Sequence, residues 1–507
     1  MRKRIWVLLF LLPLLLASCG AAGKEAAGDR ILPGEERHIL AALDKAWRSR
    51  EEDRELFTAT GSGDIQALHD NTLYVIRKKR VCVYHLENGG FYSLKPIDIG
   101  FNWIESRDED GWVGCEKIPM ELFVSGERLA VLSDWVEFTE TYTDGERRFS
   151  DNSRTVLDIF DVSDPAAPVP VASYGQDGGQ FAGYADGEGH LWLLSRRSVY
   201  EADYAVPVVH NSEHRLELDP EHIDVQAHGG RAQTMVLGLY DLTDGVRWDA
   251  RALIGGGSRA LVGAGGAYIL GGEADTAVIH YAVGSECIAA PSTMVLAGTL
   301  MDAALADGEL YAVTQTEGVT AFSALSTTLE PLWEREMQAD ACDWGFDRDC
   351  FRTATETSMQ LLNLSDRSLR EGEASAGRAA RLDGKRWIAL DYNPDGSAMD
   401  LLLLRAGAKG TLKEAGALML TLNYRPAVEE PNGIWLDGEL LALASETGCS
   451  IYRCSGERIV HAQDVFTSDN SANMRYYIMD GYLYIADTRE VHALRLSDLV
   501  FVGEWFL

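Results

Sequence analysis

From about residue 63 onward, apolar positions come in short runs, each entered through a turn and often opened by an aromatic. Examples are Asp70-Asn71-Thr72-Leu73-Tyr74, Gly187-Glu188-Gly189-His190-Leu191-Trp192 and Gly265-Gly266-Ala267-Tyr268. Asp307-Gly308-Glu309-Leu310-Tyr311, Asp383-Gly384-Lys385-Arg386-Trp387 and Asp480-Gly481-Tyr482-Leu483-Tyr484 repeat the theme. Asp, Asn and Gly tolerate the positive φ that a tight strand connection needs. A second strand follows, as in Val156–Phe160 or Val236–Tyr240, and several such strands end alike. Asp161-Val162-Ser163-Asp164, Asp241-Leu242-Thr243-Asp244, Asn363-Leu364-Ser365-Asp366 and Arg495-Leu496-Ser497-Asp498 predict side-chain-closed turns. The unit is a hairpin recurring about every 40–80 residues, with weaker strands between, which fits four strands per repeat. Counting Asp347–Leu364 there are nine candidate hairpins. Short strands, many turns and almost no long helix predict an all-β chain: a β-propeller of four-stranded antiparallel blades, about eight, with seven to nine open.

The N-terminus breaks this pattern. Arg2, Lys3 and Arg4 precede an apolar run from Ile5 to Ala17. As helix that run reaches about 20 Å, short of a bilayer core of about 30 Å, so it reads as a secretory signal. Leu16-Ala17-Ser18-Cys19 resembles a bacterial lipobox, which implies cleavage before Cys19 and lipid on its sulfur. The expected organisation is a lipoprotein signal peptide over 1–18, a tether and short helix over 19–62, and the propeller over 63–507. Ile39, Leu40, Leu43, Ala46 and Trp47 recur at helical spacing and predict a helix docked on the body.

Asp and Glu number 78 against 46 Lys and Arg, a net charge of −32. Nucleic acid is excluded as a partner, since phosphate contact needs a basic face. Broad docking on anionic lipid is disfavoured, leaving the lipid anchor as the expected membrane contact. An apolar fraction of 46% is globular, and a propeller lets a chain of 507 residues stay one domain.

The stretch Val156-Leu157-Asp158-Ile159-Phe160-Asp161-Val162-Ser163-Asp164-Pro165-Ala166-Ala167-Pro168, followed by Tyr174–Gly178, resembles a segment of the secreted bacterial and archaeal β-propeller domain proteins. Asp64-Ile65-Gln66 with Leu73–Val75 is similar to that family's opening blade, and Tyr477–Tyr484 to its closing one. Between about 285 and 380 the chain departs from the pattern. The resemblance implies a propeller at the cell envelope and carries no activity or catalytic residue.

Chemical motifs are sparse. His210-Asn211-Ser212-Glu213-His214 matches H-x-x-E-H, which holds zinc only on a helix, where i and i+4 share a face. Its flanks read as strand or loop. His210, His214, His222 and His228 still gather four of 11 histidines, so a weakly bound divalent metal and a solvated loop both stay open. Asp108-Glu109-Asp110 and Asp343…Asp347…Asp349 lack EF-hand spacing and read as solvated turns. No P-loop, dinucleotide fingerprint or G-x-S-x-G nucleophile occurs. Trp103, Trp112 and Trp135 are the tryptophans least committed to packing. Of eight cysteines, Cys449 and Cys454 on one strand cannot pair, whereas Cys342 and Cys350 flank a turn and could.

These readings predict a lipid-anchored, bacterial extracytoplasmic propeller that binds or scaffolds at the envelope, with no required cofactor and no assigned catalytic residue. Its partner is a protein, a glycan or a cationic ligand on the loop face. The alternatives are a secreted hydrolase or lyase with acids in the channel, and a purely structural envelope protein.

Overall fold

The computed structural model describes residues 31–49 and 57–506, less the short stretches 107–110, 144–145, 152, 199–205, 212–213, 227–230, 273, 285, 338–342, 348–349, 356–357, 373–375, 393–397, 408–410, 422–431 and 468–470. Nine antiparallel blades follow one another in chain order: 66–98, 101–177, 180–254, 259–296, 299–337, 343–372, 376–421, 434–466 and 475–506. Nine is the upper end of the expected range. The sixth is the blade around the Asp347–Leu364 hairpin, with four short strands of its own.

The expected turn chemistry is in place. Asp307 and Gly308, like Asp480 and Gly481, both take positive φ between the first two strands of their blades. Ser163 N–H donates to Asp161 Oδ1 at 3.0 Å, Thr243 N–H to Asp241 Oδ1 at 2.7 Å, and Asp366 N–H to Asn363 Oδ1 at 2.9 Å. The aromatics after the turns are buried: Tyr74, Trp192, Tyr268, Tyr311, Trp387 and Tyr484.

Alternation along each strand sends successive side chains to opposite faces, so each blade buries both faces against its neighbours. Val83 and Val131 join blades 1 and 2, Leu157 and Leu191 blades 2 and 3, and Leu237 and Ile269 blades 3 and 4. The series continues around the ring. Leu73 and Val75 of blade 1 finally pack on Tyr484 and Val491 of blade 9. Among the described residues, ring closure therefore rests on packing and polar clasps, without an exchanged strand. Arg475 of blade 9 grips Asp64 twice, Nε to Oδ2 and Nη2 to Oδ1, both at 2.5 Å. Gln66 Nε2 donates to the carbonyls of Asn473 at 2.9 Å and Ala486 at 3.2 Å.

Two additions embellish blades 2 and 3. The long connection between His190–Ser198 and Gln233–Asp241 sends a hairpin (Val208–Asn211 with His214–Glu217) to the outer edge of blade 2. It also lays Ile223–Gln226 along the outer edge of blade 3. The N-terminal strand β1 (Ile31–Pro33) pairs with Ile223–Gln226 in turn. The helix α1 (Glu36–Ser49) docks beside it through Ile39 and Leu43, as the helical stripe predicts. Leu40, counted in that stripe, is half exposed. Exposed sheet edges are thereby covered.

Arg475→Ala should remove the clasp and loosen the ring at its seam. Breaking a fully buried ion pair costs about 3–5 kcal/mol, and the partial exposure of Asp64 puts this one below that range. Hydrogen exchange should accelerate first in blades 1 and 9, and uniform acceleration in all nine would contradict this account of closure.

Candidate functional site

The inner strands face a central channel, and the chain enters it before the first blade begins. Strand β2 (Thr58–Thr60) pairs in parallel with Arg259–Leu261, the inner strand of blade 4. Ser62 N–H then donates to Gly183 O on blade 3 at 2.8 Å, and Asp64 bridges to Leu122 on blade 2. Residues expected to belong to the tether thus line the propeller from within. Close approach requires Gly61, since a Cβ there would lie 2.0 Å from Gly183 O.

This segment forms one wall of a cavity of about 460 Å³. Tyr184, Tyr268 and Phe346 give it an aromatic surface, and Ala303 and Ala304 keep it open. Its charged pair is Arg259 and Asp302, 2.6 Å apart. Burial pushes the Asp302 carboxyl up, against the pull of Arg259 and its own bond from Ala303 N–H. Arg259 Nε is buried without a hydrogen-bond partner among the described residues. Cavities with few convergent polar groups on an apolar lining are the usual form of a small-ligand site.

A second polar group sits on the channel where blades 9, 1 and 2 meet. Glu121 Oε2 is buried with no hydrogen-bond partner among the described residues, near the Asp64–Arg475 clasp. Burial, then the Asp64 charge, pushes the Glu121 carboxyl up to about 7. Tyr477 O–H donates to Gln66 Oε1 at 3.3 Å in the same region.

The histidines of the H-x-x-E-H string lie on a β-hairpin, not a helix. Register pairs His210 with Arg215 and Asn211 with His214, so His210 and His214 take opposite faces. Burial and then Arg154, Arg215 and Arg247 push His210 down to about 4, an environment hostile to a cation. His222 instead neighbours the exposed Asp219 and Glu221. The structure does not gather these three histidines, and His228 lies outside the described residues, as do Leu16, Ala17, Ser18 and Cys19.

Trp135 lies beneath Arg154, 4.1 Å from its guanidinium carbon, with Phe101 edge-on at 4.8 Å. Trp103 is 48% exposed nearby, and the Trp112 side chain is not among those described. Cys449 and Cys454 share the strand Gly448–Ser455, as expected for thiols that cannot pair. Cys350 stands opposite Asp347, and Cys342 lies outside the described residues.

One surface feature is hidden by the average composition. Arg77, Lys78, Lys79 and Arg80 form the tip of a blade 1 hairpin, with Lys78 at φ 58°. Lys79 pairs with Glu116 at 2.9 Å and Arg80 lies 3.9 Å from Asp98. The run is plain in the sequence, but a net charge of −32 draws attention away from it.

No family model matches the chain, so the family resemblance stays an expectation. No curated protein matches either. Among solved structures, apo AztD from Citrobacter koseri is similar at 12% identity and a TM-score of 0.27, covering 54% of this chain and 92% of that one. A putative 6-phosphogluconolactonase from Bacteroides fragilis is similar at 11% identity and TM-score 0.32, covering 69% and 97%. A eukaryotic initiation factor is similar at 11% identity and TM-score 0.42, covering 87% and 96%. Likeness this distant carries no functional argument.

Glu121 gives a pH test. Its folded-state pKa lies above the unfolded value, so the folded chain binds more protons between about pH 4.5 and about 7. Stability contributed by this group is full below that window and is lost as pH rises through it. Glu121→Gln should therefore raise the melting temperature above pH 7 and leave it unchanged near pH 4. An equal shift at both pH values would show that Glu121 is not the titrating group.

Proposed function

We propose that the chain is a lipid-anchored extracytoplasmic propeller that binds a small ligand in its channel, presenting it or a partner at the bacterial envelope. The observation that carries the binding reading is the cavity between the Thr60–Ser62 segment and blades 4 and 5, with the Arg259–Asp302 pair in its lining. Its polar groups are the Arg259–Asp302 pair, the Asp307 carboxylate and the hydroxyls of Thr60 and Ser62 beside aromatic rings, a lining suited to a small polar ligand with an apolar face. The acid–base alternative needs raised carboxyls that converge. Glu121 and Asp302 belong to blades 2 and 5 and to separate ion clusters. The anchor reading rests on Leu16-Ala17-Ser18-Cys19. The docked helix and channel segment would then hold the propeller close to its tether.

Ala304→Trp fills the cavity while leaving Arg259 and Asp302 themselves unchanged. A thermal-shift panel of monosaccharides, amino acids and polyamines should find one class that stabilises the wild type and not this variant. Stabilisation retained in Ala304→Trp, or by no class at all, would count against a channel site. For the anchor, metabolic labelling with palmitate should mark the full chain and fail in Cys19→Ser.

A further inference from the structure

Blade 9 carries three metal-type donors on one face. Glu490 and His492 lie two apart on the strand Glu490–Arg495, and register sets His492 directly opposite Glu504 on the last strand. His492 also lies opposite Ile485, which packs with Leu494 in the seam against blade 8, so the imidazole points into that seam. One ligand atom from each of Glu490, His492 and Glu504 lies within 4.8 Å of the other two. Glu490 is 2% exposed and His492 3%.

Two observations go beyond the clustering. His492 Nε2 is buried and has no hydrogen-bond partner among the described residues. A buried ring nitrogen without a partner is costly, and its loss of hydration calls for a compensating group. Its separation from Glu490 Oε1 is 3.6 Å, too long for a hydrogen bond. Two donors each about 2.1 Å from one tetrahedral ion lie about 3.4 Å apart, close to that spacing. Glu504 is exposed and reaches the same point from the solvent side.

We propose that Glu490, His492 and Glu504 form a divalent metal site, with zinc the ion best suited to one imidazole and two carboxylates. Three protein donors leave a further position for water on the solvent side. The ion would take Glu490 and Glu504 as carboxylate ligands and satisfy His492 Nε2 at the seam between blades 8 and 9. This site is separate from the channel cavity and from the histidines around His210, and it stands or falls independently of the channel reading.

The test is zinc binding to the purified chain by equilibrium dialysis, with melting temperature as a second readout. The wild type should take up one tightly held ion more than His492→Asn and melt higher with zinc than after chelation. Glu504→Gln changes only an exposed side chain and is expected to fold normally while binding at least tenfold more weakly. His222→Asn should bind as the wild type does. Zinc uptake unchanged in both His492→Asn and Glu504→Gln, or no tight uptake by the wild type, would overturn the proposal. If His492→Asn does not fold, Glu504→Gln decides alone.

Discussion

A ring of packed sheets holds only if its last sheet finds its first. Among the described residues that meeting is made without sharing a strand, so the seam between blades 9 and 1 depends on side chains. The apolar contact of Leu73 and Val75 with Tyr484 and Val491 supplies the area. The Asp64–Arg475 clasp and the two carbonyl bonds of Gln66 set the register. Every other seam joins blades that are neighbours in the chain. This one joins residues about four hundred positions apart, where loop closure must be overcome by the contacts made.

The same seam borders the channel, which links structure to site. Asp64 is the last residue of the segment that crosses blades 4, 3 and 2 before the propeller begins. Its carboxylate serves the clasp and also raises the Glu121 carboxyl. The segment covers part of the inner edges and supplies a wall of the cavity. Structural closure and candidate binding thus share one stretch of chain.

Much of the fold was legible because its signals are local. An Asp followed by Ser or Thr two residues on closes a turn within itself, and Asp161 and Asp241 do so. Blade number was harder, since the sixth blade has short strands and a weak turn signal. The site was largely illegible. Gly61-Ser62-Gly63 reads as flexible linker until Gly183 is known to lie against it. The His210–His214 string suggested metal chemistry, but hairpin register sends those rings to opposite faces. His492 and Glu504 carry no motif, and only strand pairing makes them neighbours.

Residues 58–62 also set an order of assembly. They rest on Gly183 of blade 3 and Arg259–Leu261 of blade 4, which lie about 120 and about 200 residues further along the chain. At a synthesis rate of about 5–20 residues per second, those supports follow about 6–40 s later. A segment made before any blade is therefore seated only once the fourth blade exists. The channel is furnished by residues that precede all nine blades but completed only by blade 4, and the ring is closed only by blade 9.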